Sequence, residues 1–287
     1  MKGSFWMQRQ LIAIDLDGTT LNEESKLSSL TVRTLRELNK RGHVVTIATG
    51  RPYRSSAGIY EELGIRRPMI NYNGALCHFP GRTWSEGYHE SLRRDIALEL
   101  LDQQDKLAID LMLIEGEDQL YSRRLSFGDE DAKREGSATI GIYDWMRLEE
   151  RGILSRETVF RDPTALLLLS QREHQRTIEE NVNQIFGDYI DVKTWGGEAP
   201  VLEVVRHGIH KAIGVDRVAR YYQIDAKNVI AFGDEQNDLE MLDYAGTGVM
   251  MANGNSVLQS VADEVTEYTN NEDGLARFLI ERFKLDF

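Results

Sequence analysis

Cysteine is nearly absent from this chain: Cys77 stands alone among 287 residues. No internal disulfide can form, which suits a reducing compartment. Cys77 lies in the apolar stretch Ala75-Leu76-Cys77, where nothing resembles a histidine-activated nucleophile, so its expected role is structural. Proline is also scarce, at 5, and hydrophobic residues make up 41%, the balance of an ordinary globular protein. Positive charge is the third deficit: 34 basic residues face 47 acidic ones, for a formal charge of −13. That argues against nucleic acid as a partner, because phosphate-backbone binders use basic surface to displace counterions. An anionic substrate would be repelled as well, unless a divalent cation and a local Lys or Arg reversed the field at its site. No stretch is long and apolar enough to cross a membrane. Met1 to Gln10 contains Phe5, Trp6 and Met7 but no long apolar core or small-residue cleavage site, so a signal peptide is not expected there and the expected location is cytoplasmic. Nothing points to an obligate protein partner.

What is present alternates. At this length two domains are expected. From Leu11 to about Ala75 the pattern is strand, helix, strand, helix, strand. Ser28 or Ser29 can cap a helix whose Val32, Leu35 and Leu38 share a face and whose end is marked by Gly42. Val44-Val45-Thr46-Ile47-Ala48 is a β-branched run of the kind covered on both faces. Pro52 suits a helix's first turn, and Met69-Ile70-Asn71 reads as a third strand. Such alternation predicts a parallel sheet with ligand sites beyond the strands' carboxyl ends.

After about Trp84 antiparallel cues take over: a helix around Ser91 to Gln103, strands Ala108 to Ile114 and Gln119 to Arg123 around Gly116 and Asp118, and a charged loop from Gly128 to Gly136. A strand at Ala165 to Leu169, a polar helix from Arg172 to Phe186 and a strand at Tyr189 to Val192 follow. The expected organisation is an α/β, Rossmann-like core in two parts, 1–84 and 207–287, interrupted by an inserted α+β domain over 85–206. In the second part, Lys211, Val215, Val218 and Tyr222 mark a helix and Val229-Ile230-Ala231-Phe232 a buried strand. Further strands are expected at Thr247 to Met251 and Glu264 to Thr266, then a helix from Asp273 to Phe283.

The chemistry sits where strands end. Asp15-Leu16-Asp17-Gly18-Thr19-Thr20 follows the apolar run Leu11 to Ile14. A carboxylate at a strand's end can attack an electrophile, and its neighbour two residues on can reach the same centre as acid and base. Gly18 permits a sharp turn, which the hydroxyls of Thr19 and Thr20 can hold. Ala48-Thr49-Gly50-Arg51 places a hydroxyl and a helix start at the end of the second strand, a natural anion site. Gly233-Asp234-Glu235-Gln236-Asn237-Asp238 again runs an apolar strand into a carboxylate, with an amide and a second acid one turn later. Hard Mg2+ takes a few carboxylates together with carbonyls, water and substrate oxygens, and Asp15, the carbonyl of Asp17 and Asp234 would supply such a set. Lys211 opens a helix, a position where lysine is usually solvated.

Together these motifs resemble the haloacid dehalogenase superfamily of aspartate-nucleophile phosphatases. Asn73-Gly74-Ala75, Gly208-Ile209-His210-Lys211 and Glu272-Asp273-Gly274-Leu275-Ala276 are similar to segments of its Cof-type branch, subfamily IIB, which carries a large α/β cap. The resemblance implies that Asp15 is the nucleophile and a metal ligand, and that Asp17 is the general acid/base and binds metal through its carbonyl. It implies that Thr49, the Gly50 and Leu16 N–H groups, Lys211 and Asn237 hold the phosphoryl oxygens. Asp234 would ligate Mg2+ and Asp238 would orient the metal shell. Ala212 stands where the family often has glycine; alanine favours the helix and disables nothing evident. Proton shuttling requires an Asp17 raised in pKa by burial or neighbouring carboxylates. The implied substrates are small phosphorylated metabolites, sugar or cofactor phosphates.

The same parts serve a phosphomutase, which returns the phosphoryl group to its substrate, or a regulator that binds sugar phosphates without turnover. A receiver-like switch also uses Asp, Thr and Lys but is too compact for the insertion seen here. Phosphatase is the reading that all the carboxylates support. In the cap, Tyr143, Trp145, Trp195 and Glu198 could face a substrate, though at their spacing they read more readily as packing or surface residues.

Overall fold

A computed structural model describes residues 8–116, 120–122, 152–194 and 201–286. The chain separates into two compact units, one running to Tyr88 and resuming at His210, the other spanning His89–Ile209. The first unit begins with β1 (Leu11–Ile14), α1 (Ser29–Lys40), β2 (Val44–Ile47), α2 (Tyr53–Leu63), β3 (Met69–Asn71), β4 (Leu76–His78) and the short β5 (Tyr88–His89). The second contains α3 (Arg94–Asp102), β6 (Leu111–Glu115), β7 (Leu120–Ser122), β8 (Gly152–Ile153), β9 (Ala165–Leu169), α4 (Arg172–Phe186), β10 (Ile190–Thr194) and β11 (Val201–Arg206). The first unit then continues with α5 (Lys211–Tyr221), β12 (Val229–Gly233), α6 (Leu239–Tyr244), β13 (Thr247–Met250), β14 (Glu264–Val265) and α7 (Gly274–Phe283).

In the first unit five parallel strands form a sheet in the order β14-β13-β12-β1-β2. Alternate residues of each strand feed two cores, which is why the strands read as unbroken apolar runs. Ile12, Ile14, Val45, Ile47, Ile230 and Phe232 pack with Leu35 and Leu38 of α1, Leu63 of α2 and Leu275 and Leu279 of α7. Leu11, Ala13, Val44, Val229 and Ala231 pack with Val215, Val218 and Ala219 of α5 and Met241 and Leu242 of α6. Ser28 caps α1 by accepting the Thr31 N–H at 3.0 Å, and Gly64 closes α2 in the left-handed region. Pro52 stands one residue earlier than expected, as the cap before α2 rather than inside its first turn.

One expected member of the parallel sheet pairs chiefly elsewhere. Met69–Asn71 is grouped in a three-stranded sheet, pairing antiparallel with Leu76–His78, and joins the end of β2 through a parallel bridge between Ala48 and Ile70, with the Thr49 N–H donating to the Ile70 carbonyl at 3.0 Å. The cause is the turn at Tyr72, Asn73 and Gly74, all at positive φ, which sends the chain straight back on itself. Cys77 lies buried on β4, its thiol pushed up to about 12 by desolvation, in keeping with a structural role.

The second unit is an α+β layer: a six-stranded sheet, β10-β11-β9-β6-β7-β8, antiparallel except between β7 and β8. Met112, Ile114, Leu166, Leu168, Leu202 and Val204 share one face and pack with Ile96 and Leu100 of α3 and Ile178 and Val182 of α4. Two elements are shorter than their sequence patterns. Helix α3 starts at Arg94, not Ser91, because the Leu92 N–H pairs with the Pro163 carbonyl and Asp162 accepts the Arg94 N–H. Strand β6 starts at Leu111 because Ala108 adopts φ +57, outside the strand region. Tyr143, Trp145, Trp195, Glu198 and the charged 128–136 segment lie outside the described residues. Among the described residues no helix is long and apolar enough to cross a membrane.

Candidate active site

β1 and β12 are neighbours, yet the next strand after β1 lies on one flank and the next after β12 on the other. Crossovers that diverge in this way open a crevice beyond the carboxyl ends of the strands. The register pairs Ile14 with Phe232, and the Asp15 N–H donates to the Phe232 carbonyl at 3.1 Å. Asp15 and Asp234 therefore leave the sheet side by side. Ala48 leaves β2 at the same level, its N–H donating to the Ile14 carbonyl at 2.9 Å, which brings Thr49 and Gly50 to the same end.

The turn after Asp15 is built for close approach. Gly18 has φ +71, and a Cβ there would lie 2.1 Å from Asp234 Oδ2. Thr19 Oγ1 donates to Asp234 Oδ1 at 2.8 Å, and Thr20 Oγ1 donates to the Asp15 carbonyl. Gly233 plays a similar part, since a Cβ on it would lie 2.4 Å from the Asp238 side chain.

Lys211 is the first residue of α5 and is wholly buried. Its Nζ donates to Asp15 Oδ1 and to Asp238 Oδ1, both at 2.7 Å. Asp238 turns its other oxygen to the Asp234 and Glu235 N–H groups, at 3.1 and 3.2 Å. Asp15, Asp234 and Asp238 each offer an oxygen within 4.8 Å of the others. One buried cation thus faces a cluster of three carboxylates. Burial pushes the Asp15 carboxyl up, with Asp238 and Asp17 adding to the rise and Lys211 opposing it. Burial likewise raises Asp234, reinforced by Asp15 and Asp238 and opposed by the Thr19 hydroxyl and Lys211. Desolvation disfavours the Lys211 charge, but Asp15 and Asp238 more than offset it and hold the ammonium above its ordinary range. Buried carboxylates gathered beside a single lysine fit a hard divalent cation, which would supply further positive charge.

Asp17 is placed otherwise than expected. Its side chain is 54% exposed and accepts a two-pronged ion pair from the buried Arg51, with Nε donating to Oδ2 at 2.7 Å and the second nitrogen donating to Oδ1. Its nearest charged partner is a guanidinium rather than a group of carboxylates. Arg51 in turn donates its backbone N–H to Thr49 Oγ1 at 3.1 Å. Asn237 Nδ2 donates to Asn73 Oδ1 at 2.9 Å. The site therefore draws in two residues to which sequence reasoning gave no role, Arg51 and Asn73. Both stand inside motifs already picked out, Ala48-Thr49-Gly50-Arg51 and Asn73-Gly74-Ala75, so their positions were visible while their contacts were not.

A switch-point crevice holding a lysine among three carboxylates, in a sheet unit interrupted by an α+β unit, fits a hydrolase of Rossmann-like architecture with an inserted domain. The chain belongs to the haloacid dehalogenase-like hydrolase family, whose sequence model matches residues 12–279, and within it is a Cof-type phosphatase. It is 36% identical over 279 residues to the 5-amino-6-(5-phospho-D-ribitylamino)uracil phosphatase YitU of Bacillus subtilis, covering 96% of this chain and 98% of that one. It is 32% identical to the putative phosphatase YkrA of the same organism over 94% of this chain and 96% of that one. Two solved structures share the fold. A haloacid dehalogenase-like hydrolase from Bacteroides thetaiotaomicron superposes with a TM-score of 0.79 at 24% identity, over 96% of this chain and all of that one. The subclass IIB sugar phosphatase BT4131 does so with a TM-score of 0.77 at 20% identity, over 96% and 99%. Phosphatases of this family generally use a divalent metal, and the buried aspartate cluster is of a kind that could bind one.

Proposed function

We propose that the chain is a Mg2+-dependent phosphatase of small phosphate monoesters that works through an aspartyl-phosphate on Asp15. The observation that carries this reading is the placement of Asp15 at the end of β1, 2.7 Å from the buried Lys211 ammonium. A phosphate dianion approaching Asp15 meets a carboxylate, and that repulsion must be offset for attack to occur. Mg2+, held by Asp15, the Asp17 carbonyl and Asp234 with Asp238 behind them, would supply positive charge for that purpose. Lys211, Thr49, the Gly50 and Leu16 N–H groups and Asn237 would bind and orient the phosphoryl oxygens.

In the first step an Asp15 oxygen forms a bond to phosphorus as the ester oxygen leaves, and Asp17 gives that oxygen a proton. In the second, water adds to phosphorus, Asp17 takes its proton, and Asp15 departs with inorganic phosphate released. The Arg51 ion pair supports a fixed placement of the Asp17 carboxylate beside this centre.

Two curated relatives, at 36% and 26% identity, are named as phosphatases of 5-amino-6-(5-phospho-D-ribitylamino)uracil. That compound, a phosphorylated polyol chain on an aminouracil ring, is the first substrate to test here. The experiment is phosphate release from it and from a panel of sugar, nucleotide and cofactor phosphates, with Mg2+ or with EDTA, for wild type and Asp15→Asn. Turnover that needs Mg2+ and vanishes in Asp15→Asn is expected. Full activity in that variant would overturn the assignment of Asp15.

A further inference from the structure

Three successive residues beside the site, Tyr72, Asn73 and Gly74, have φ of +49, +51 and +106. Glycine adopts such angles freely and asparagine tolerates them, whereas a tyrosine there is strained. Strain of this kind persists where the surroundings over-determine it, and it gathers where the backbone must deliver a side chain to a functional centre. Here the surroundings are firm. The Asn73 N–H donates to the Thr49 carbonyl at 3.1 Å, and Asn71 Nδ2 donates to the Arg51 carbonyl at 2.8 Å. Tyr88 donates its hydroxyl to the Gly74 carbonyl at 2.9 Å. Gly74 presses so closely on the residue before Lys211 that a Cβ would lie 2.2 Å from the His210 carbonyl oxygen. The turn is wedged between the loop carrying Thr49 and Gly50 and the start of the helix carrying Lys211.

What this turn delivers is the buried amide of Asn73. Its Oδ1 accepts from Asn237 Nδ2 at 2.9 Å, and both its terminal atoms lie 3.2 Å from where a Cβ on Gly50 would stand. The bond engages one N–H of Asn237 and thereby fixes the direction of the other. Gly50, lacking a side chain, leaves room for the amide against its backbone.

We propose that Asn73 is a positioning residue of the phosphoryl pocket: by accepting from Asn237 and abutting Gly50, it sets the separation and direction of these two phosphoryl donors. The proposal rests on the phosphatase reading above.

The test uses the full chain with Mg2+ and reads KM and kcat on an alkyl phosphate, inhibition by inorganic phosphate, and Tm. Asn73→Gly and Asn73→Asp both suit a left-handed backbone, so either can remove or alter the amide without adding strain. Asn73→Gly should leave Tm within about 3 °C of wild type while raising KM and the phosphate inhibition constant roughly tenfold, the effect of one lost hydrogen bond. Adding Asn237→Ala should then cost less than about twofold more, because the two residues act as a unit. Asn73→Asp keeps the acceptor, so Asn237→Ala should cost its full wild-type factor in that background.

Wild-type KM and inhibition in Asn73→Gly, or the same cost of Asn237→Ala in Asn73→Gly as in wild type, would overturn the proposal. If Asn73→Gly does not fold, Asn73→Ser, whose hydroxyl is too short to reach Asn237, decides by the same comparison: a reduced Asn237→Ala cost there supports the proposal and an undiminished cost overturns it. Failure of the phosphatase reading is separately visible, as wild-type turnover that is absent or survives Asp15→Asn.

Discussion

The Lys211 ammonium stands 2.7 Å from an oxygen of Asp15 and 2.7 Å from an oxygen of Asp238, with none of the three side chains more than 7% exposed. Removing the cation would strand two buried carboxylates. Lys211→Met, close in length and apolar, is expected to lower stability at neutral pH by about 3–5 kcal/mol, the usual cost of leaving one side of a buried ion pair uncompensated. Urea unfolding in EDTA would measure it. Turnover should fall by roughly 100-fold or more, since in the proposed mechanism the same charge would face the phosphoryl group. A variant as stable as wild type would show that the carboxylates simply stay protonated without the lysine.

Burial makes the metal-free protein sensitive to alkaline pH. Asp15 and Asp234 are pushed up to about 7 and about 8, chiefly by desolvation, from an ordinary 3.8. Between those limits the folded state keeps protons that the unfolded state has released, so rising pH favours unfolding. In EDTA the urea midpoint should be lower at about pH 8 than at about pH 5.5. If Mg2+ binds the ionised carboxylates as proposed, its stabilising effect should be larger at the higher pH. An Mg2+ effect that shrinks as pH rises would place the ion away from these aspartates.

Gly18→Ala should injure the proposed metal site more than the fold. The left-handed backbone strain is worth roughly 1–2 kcal/mol, but the new Cβ would fall 2.1 Å from Asp234 Oδ2 and so force that carboxylate to move. The Mg2+ concentration for half-maximal activity is expected to rise roughly 10-fold to 100-fold, as is usual when groups that orient metal ligands are disturbed. An unchanged Mg2+ requirement would mean that Asp234 does not hold the ion.

Arg51→Met tests whether the ion pair with Asp17 serves proton delivery. A misplaced acid matters most when the leaving oxygen is strongly basic. On an alkyl phosphate the loss is expected to be roughly 100-fold, within the usual worth of general acid catalysis. On p-nitrophenyl phosphate, whose leaving group needs little protonation, it should be only a few-fold. Equal losses on both esters would instead make Arg51 a ligand of the phosphoryl group.

Much of the first unit was legible because its physics is local. The runs Leu11–Ile14 and Val229–Gly233 are apolar at every position because both faces of those strands are covered, and a strand that is covered on both faces looks the same wherever it lies in the sheet. Ser28 announced α1 through a bond three residues long. Met69–Asn71 was read correctly as a strand, and it meets β2 in parallel at Ala48 and Ile70, but its fuller antiparallel pairing with Leu76–His78 was not foreseen, because strand propensity carries no information about a partner. Within the second unit, Ala165–Leu169 and Arg172–Phe186 stood out by their apolar run and helical period.

The site divides along the same line. Asp15 and Asp234 were conspicuous in the chain, since a carboxylate directly after a buried strand is unusual and a parallel sheet collects such ends at one edge. Lys211 was singled out only by the family resemblance: a lysine opening a helix reads as solvated, whereas in the fold it is buried against Asp15 and Asp238. Asp17 looked like a residue that would sit among acids, yet it meets Arg51, 34 positions away. Sequence by itself determined which residues stand at strand ends and which turns must bend, because those depend on neighbours within a few bonds. Tertiary structure alone decided which charges share a buried space, because that energy depends on distances between segments as remote as Asp15 and Lys211, 196 residues apart.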